Sequence, residues 1–427
     1  MRPITLKTNE QNHLELGGID LVDLAKEYGT PLYVLDEATI RENCRKYQRK
    51  IKETYPNSMI AYASKALSTI SLLNILSEEE FGLDVVSGGE LYTALKSKIN
   101  KEKILFHGNN KSIEELRFAI SEGVKIVIDN KTELERIIAI TNELNTKTAV
   151  LLRIRPGIEA HTHDFIKTGH EDSKFGINKK DLIPYLKIIN NESNLQFLGL
   201  HSHIGSQIFD IKPYEELISI LLELTANVKH ELNIEVPIIN LGGGIGIQYL
   251  PDDDPPEINE FITRISRQMK KECTRLNLKE PQLILEPGRS IIGTAGVTLY
   301  TVGLVKRISA YRSYIFIDGG MADNPRPLLY QAEYSFDIVN KAKDEKKSNY
   351  TIAGKFCESG DIIAKKIPLP FVEENDYLIT YATGAYNYSM SSNYNRFCRP
   401  AMVLVNNGSS HLIIKRETYE DLIRNDL

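Results

Sequence analysis

Lys65 stands in the run AYASKAL, where an apolar stretch gives way to a basic side chain. Most lysines are solvated surface groups. A partly desolvated lysine gives up its proton more readily and becomes a nucleophilic amine. Such an amine condenses with aldehydes to form a Schiff base. Far along the chain, LGGGIG (241–246) places Gly242, Gly243 and Gly244 in succession. The bland reading is a tight turn; the chemical one is a set of backbone N–H groups that can approach a phosphate. EPGRS (286–290) adds Gly288, Arg289 and the carboxylate of Glu286. A lysine facing a phosphate cradle is what a phosphate-bearing aldehyde needs, and pyridoxal phosphate is such a molecule. A carboxylate against its pyridine nitrogen would keep that nitrogen protonated, and the ring would become a strong electron sink. An electron sink of that kind favours loss of carbon dioxide.

LHSHIG places His201 and His203 two apart, and AHTH does the same with His161 and His163. Alternate residues of a strand share a face, so either pair could bind a metal. A metal-dependent hydrolase is therefore the competing class. No cluster of Asp or Glu ligands appears at the other strand ends, so no metal is expected. A flat imidazole stacked on a planar cofactor suits His203 better. KFCESGD contributes Cys357 and Glu358, DGGMADNPRPLLY contributes Arg326 and Tyr330, and TGAYNYSMSSNYN contributes Tyr386. Polar, loop-rich segments of this kind are common binding material.

These residues need a scaffold that joins positions far apart in the chain. Eight short apolar or β-branched runs supply one: 58–64, 82–87, 103–108, 125–129, 149–154, 197–203, 237–243 and 282–286. Amphipathic segments such as SIEELRFAISEG and EFITRISRQMKKECTRL lie between them, with apolar residues at three- and four-residue spacing. Strand–helix alternation implies a parallel sheet, and eight units fit a (β/α)8 TIM-type barrel. Enzymes on that fold carry their chemistry at the C-terminal ends of the strands, often with phosphate held after strands seven and eight. The expected ends are polar throughout: Lys65, Ser87, His107, Asp129, Arg153, His201 with His203, the glycine run, and Glu286 to Arg289. After about residue 290 long helical patterns give way to strand-like runs such as SYIFID and AMVLVN. The expected division is a barrel over 36–288 and a mostly antiparallel β-rich domain from 1–35 plus 289–427.

Composition narrows the classes further. Formal charge is −5 over 427 residues, and no basic stretch marks a nucleic-acid footprint. No apolar run approaches the roughly 20 residues of a membrane span. The opening MRPITLKTNEQNHLELGG lacks the apolar core of a signal peptide. Cys44, Cys273, Cys357 and Cys398 show neither disulfide nor zinc spacing, which fits a reducing cytoplasm.

The strings YASKA, GLDVVSGGEL, FHGNNKS, AHTHDFIKTG, EDSKFGI, GLHSHIGSQI, LGGGIGI, EPGRSIIG, DGGMADNPRPLLY, CESGD and TGAYNYSMSSNYN run from about residue 60 to 405. Together they make the chain resemble the diaminopimelate decarboxylases, of the fold-type III pyridoxal-phosphate family that also holds ornithine decarboxylase and alanine racemase. The resemblance implies conversion of meso-2,6-diaminopimelate to L-lysine and carbon dioxide. It implies that Lys65 carries the cofactor, His203 stacks on its ring, and Glu286 pairs with its ring nitrogen. Ser206, Gly242–Gly244, Gly288 and Arg289 would meet the phosphate end. Arg289, Arg326 and Tyr330 would hold the distal carboxylate of the substrate, Glu358 its distal amine, and Tyr386 both cofactor and substrate. Cys357 would be the proton donor, supplied by the second subunit of a homodimer. Arg155, in LRIRPG, departs from the usual pattern and has no implied role. A racemase of this fold would pair the ring nitrogen with an arginine, so Glu286 favours decarboxylation. Relatives acting on ornithine, arginine or carboxynorspermidine, and a barrel-only protein that merely handles the cofactor, are the other readings. The β-rich domain with CESGD counts against the last.

Overall fold

The computed structural model describes residues 2–158, 173–309 and 312–427. His161 and His163 lie outside the described residues. The chain forms two compact units, one of residues 44–246 and 254–288 and one of residues 1–43, 247–253 and 289–427.

The first unit is a closed parallel barrel. Its strands are β1 (Ser58–Ala63), β2 (Gly82–Val85), β3 (Ile104–Phe106), β4 (Lys125–Ile128), β5 (Thr148–Arg155), β6 (Leu195–His201), β7 (Ile238–Asn240) and β8 (Gln282–Leu285). Each pairs in parallel with the next, and β8 closes onto β1 through Leu283–Ser58 and Leu285–Ile60. All eight expected strands are present. Strands covered on both faces read as apolar runs rather than alternating ones. Ala61, Leu105, Val127, Leu151, Ile238 and Ile284 form one buried cluster drawn from six strands. Asp84 in β2 and Asn240 in β7 break the apolar pattern, and both are buried.

Local sequence rules set the helices. Ser112 and Glu115 form a reciprocal capping box at the start of Ile113–Glu122, and Gly123 ends that helix in the left-handed region. Ser87 caps Gly88–Leu95 by accepting from the Glu90 N–H at 3.2 Å. The motifs SGGEL and FHGNNKS are thus in part helix-start signals.

The second unit is built on a sheet. Its strand order is Ile362–Leu369, Ser348–Ala353, Arg312–Ile317, Gly296–Ser309, Leu32–Asp36, Ala401–Asn406, Ser409–Ile414. Pairing is mostly antiparallel. Leu32–Asp36 runs antiparallel to Gly296–Leu299 and parallel to Ala401–Val405, so an N-terminal strand sits inside a sheet made largely from the other end of the chain. One core of this unit includes Val34, Val297, Ile379 and Val403, and another includes Ile247, Tyr249, Tyr300, Tyr334 and Ile352.

Candidate active site

In the barrel, Lys65 lies just past β1, in the 3-10 turn Ser64–Ala66. The Ala63 N–H donates to the Pro287 carbonyl at 3.1 Å, and a side chain at Gly288 would come within 3.2 Å of Ala63 and Ala66. The loop after β8 therefore packs tightly on the turn that presents Lys65. Lys65 Nζ donates to Asp84 Oδ2 at 2.5 Å, and the Asp84 side chain is only 1% exposed. Nearby, Glu90 Oε2 accepts from the Val86 N–H at 2.9 Å. Burial pushes the Glu90 carboxyl up to about 7, and the negative charge of Asp84 adds to this.

Glu286, immediately after β8, is buried and densely partnered. His107 Nε2 donates to its Oε1 at 2.8 Å, and Asn240 Nδ2 donates to the same oxygen at 2.6 Å. His201 Nε2 lies 3.3 Å from Oε2. Burial alone would raise the Glu286 carboxyl, but the histidines beside it more than offset that and hold it well below the usual range. Burial also pushes His201 down to about 4, so this ring is uncharged at neutral pH. The trio His107, His201 and Glu286 lies close enough for a metal. Its shared oxygen, however, already accepts two N–H donors, the arrangement of a fixed carboxylate.

The two histidines of LHSHIG do different things. His201 ends β6, whereas His203 lies beyond the strand, where alternation no longer governs direction. His203 Nδ1 accepts from the Gly243 N–H at 3.2 Å. Burial, with the positive charges of Lys65 and Arg153, holds its pKa well below the ordinary value. A neutral ring that accepts at Nδ1 carries its proton on Nε2.

The glycine run has a packing reason. A Cβ at Gly243 would sit 1.9 Å from the Glu286 carbonyl oxygen, and one at Gly244 would sit 2.2 Å from that of Gly205. The Gly242 N–H donates to Asn240 Oδ1 at 2.9 Å, and the Gly243 N–H is taken by His203. The loops after β6 and β7 are laced together, since Ile208 N–H donates to the Gly244 carbonyl and Gly246 N–H to that of Ile208, both at 3.0 Å. Ser206 lies within this laced segment. Arg155 also gains an explanation, donating to the Ser173 carbonyl at 3.1 Å and to Asn178 Oδ1 at 3.0 Å, which ties β5 to the segment that follows.

The second unit carries the other predicted residues. Arg326 opens the short helix Arg326–Tyr330 and is buried, while Tyr330 is half-buried. Arg326 Nη1 donates to the Tyr249 hydroxyl oxygen at 2.9 Å and to that of Tyr334 at 2.7 Å. Arg289 Nη1 donates to the same Tyr249 oxygen at 2.6 Å. The Arg289 guanidinium lies 4.7 Å from the centre of the Tyr386 ring. Tyr386 has φ +62°, a left-handed backbone that costs a non-glycine residue on the order of 1 kcal/mol or more. Such strain concentrates at functional positions. Cys357 and Glu358 are exposed. Their loop is held from inside by Asp361, which accepts from the Phe356 N–H at 2.9 Å and the Met321 N–H at 2.7 Å.

Sequence reading missed Asp84, Asn240, Tyr249 and Tyr334, and gave His107 and His201 no task as partners of Glu286. Asp84 and Asn240 left a signal, a polar residue inside an apolar strand. Tyr249 and Tyr334 left none.

The barrel residues fit a pyridoxal ring. Glu286 is held anionic, as an acidic partner of a ring nitrogen must be. Asp84 Oδ1 and His201 Nδ1 are buried polar atoms without hydrogen-bond partners among the described residues. Each such atom costs about 1–3 kcal/mol if left unsatisfied, so their gathering near Glu286 and Lys65 suits a polar ligand.

The model of the pyridoxal binding domain of pyridoxal-dependent decarboxylases matches residues 37–293, which sets the class as pyridoxal-dependent decarboxylase. The diaminopimelate decarboxylase of Synechocystis sp. is 45% identical over 434 residues, spanning 99% of this chain and 92% of its own. That of Bacillus subtilis is 44% identical over 426 residues, spanning 99% of this chain and 97% of its own. The crystal structure of the M. jannaschii enzyme with L-lysine matches at TM-score 0.93 and 35% identity, spanning 100% of this chain and 99% of its own. The chain belongs to the diaminopimelate decarboxylase family.

Proposed function

We infer that the chain decarboxylates meso-2,6-diaminopimelate to L-lysine and carbon dioxide with pyridoxal phosphate as cofactor, the last step of lysine biosynthesis. The observation that carries this reading is Arg326. It is a buried guanidinium whose hydrogen-bond partners are two phenol oxygens. Among the described residues no carboxylate lies within ion-pair distance of it. A buried cation is costly unless paired, and a substrate with a second carboxylate would pair it bidentately.

Bound pyridoxal phosphate supplies the electron sink that takes up the pair left behind when carbon dioxide departs. Lys65 is the residue that would hold its aldehyde, and the Asp84 carboxylate orients the Lys65 amine. Glu286 would hold the proton on the ring nitrogen, with His107 and Asn240 keeping the carboxylate fixed. His203, neutral and locked by Gly243, would lie against the ring face. Ser206, Gly244, Gly288 and Arg289 would line the phosphate, with Gly242 and Gly243, whose N–H groups donate to Asn240 and His203, shaping the loop around it. Arg289, Arg326 and Tyr330 would hold the distal carboxylate, Glu358 the distal amine, and Tyr386 would touch both cofactor and substrate. Cys357 Sγ would return a proton to Cα. We assign that thiol to the second subunit of a homodimer, a reading supported by its exposure in the single chain. The place of action we propose is the cytoplasm, supported by four free cysteines. Among the described residues no helix is long and apolar enough to cross a membrane.

Carbon dioxide release from meso-diaminopimelate, L-lysine and L-ornithine tests the reading. A site built for a polar group rejects an analogue lacking it by factors of about 10⁴. Comparable turnover of ornithine would move the chain to a different substrate class.

A further inference from the structure

Two guanidinium groups donate to one phenol oxygen in the second unit: Arg289 Nη1 at 2.6 Å and Arg326 Nη1 at 2.9 Å from the Tyr249 hydroxyl. Like charges this close repel, and the oxygen between them offsets that repulsion by accepting from both. Tyr249 is itself anchored. Its own N–H and that of Leu250 donate to Asp253 Oδ2 at 2.8 and 2.9 Å, and Ser335 Oγ donates to its carbonyl at 2.8 Å. Its ring meets Tyr334 edge-on at 5.3 Å, and the Tyr334 hydroxyl is the second acceptor for Arg326. Burial alone would raise the Tyr249 phenol, but the two guanidiniums more than offset it and leave it below its ordinary value. Segment 247–253 belongs to the same compact unit as both arginines, so this cluster is internal to one body.

We propose that Tyr249, backed by Tyr334, is a positioning residue for substrate specificity: its oxygen yokes Arg289 and Arg326 into a single clamp for the distal carboxylate. This rests on the reading that those arginines bind that carboxylate. Before substrate arrives, the phenol oxygen serves as the shared acceptor and keeps both forks aimed. When the carboxylate arrives, it meets two guanidiniums already held side by side, so little rearrangement is needed.

The test is a double-mutant cycle on the holoenzyme with Tyr249→Phe and Arg326→Ala. Tyr249→Phe removes one oxygen and keeps the ring. It should raise KM for meso-diaminopimelate about tenfold or more, the scale of a hydrogen bond to a charged group, while kcat changes less than twofold. In the Arg326→Ala background it should change KM little further. Parallel loss of kcat and thermal stability, an additive cycle, or an unchanged KM in Tyr249→Phe overturns the proposal. Wild-type KM in Arg326→Ala alone would instead remove the carboxylate reading, and the proposal with it. Should Tyr249→Phe not fold, Tyr334→Phe takes its place. It must raise KM through Arg326 alone, and an unchanged KM there overturns the proposal as well.

Discussion

His107 and Glu286 meet inside the barrel through one hydrogen bond, Nε2 donating to Oε1 at 2.8 Å. Both side chains are buried, and Asn240 donates to the same oxygen at 2.6 Å. The carboxylate is thereby fixed in charge and direction before any ligand enters. Preorganised charge of this kind acts without reorganisation at the moment of reaction.

Glu286→Gln should therefore lower kcat by about a hundredfold or more, close to 3 kcal/mol of barrier. The proper comparison is single-turnover carbon dioxide release with cofactor content measured in the same sample. Unchanged turnover with cofactor bound would refute the role of Glu286. His107→Phe should fall in the same direction by a smaller factor, since Asn240 still holds the carboxylate.

Lys65 should carry the cofactor. Borohydride reduction followed by peptide mapping is expected to place the pyridoxyl mass on Lys65, beside the Asp84 carboxylate that it meets at 2.5 Å. A label on another lysine sinks the assignment.

Cys357 is exposed in the single chain. If it completes the site of a second subunit, Lys65→Ala and Cys357→Ala proteins, each inactive, should regain part of the activity when mixed. No recovery after demonstrated subunit exchange would count against a shared site.

His201 predicts a pH-dependent stability. Burial pushes its pKa down to about 4 in the folded protein, whereas the unfolded chain binds a proton there near pH ~6.5. Between those values the unfolded state holds more protons, so stability falls as pH drops from about 6.5 to about 4. Above that window the histidine contributes nothing to the slope. At the acid end the loss is on the order of 3 kcal/mol. Thermal denaturation across this range should show a shallower decline in His201→Asn than in the wild type. Equal slopes would show that this ring does not titrate as a buried neutral group.

Much of the barrel was legible in the sequence because its strands, covered on both faces, read as apolar runs punctuated by helices. Lys65 and Glu286 stood out because each ends such a run with a charge. The glycine run was legible too, but for a second reason. It was read as room for a phosphate, while Gly243 is also required by the Glu286 carbonyl, 1.9 Å from where its Cβ would be. Tertiary structure alone decided which groups surround Glu286. His107 is 179 residues away in the chain and Asn240 is 46 away. Barrel closure and strand register bring them to one oxygen, and no local pattern encodes register across that distance. The same holds for Tyr249. It follows the glycine loop by only a few residues, yet segment 247–253 packs with the β-rich unit, where its hydroxyl joins Arg289 and Arg326. Local sequence sets which way a strand or helix is made. Pairing of buried charges depends on where distant segments meet, and only the folded chain determines that.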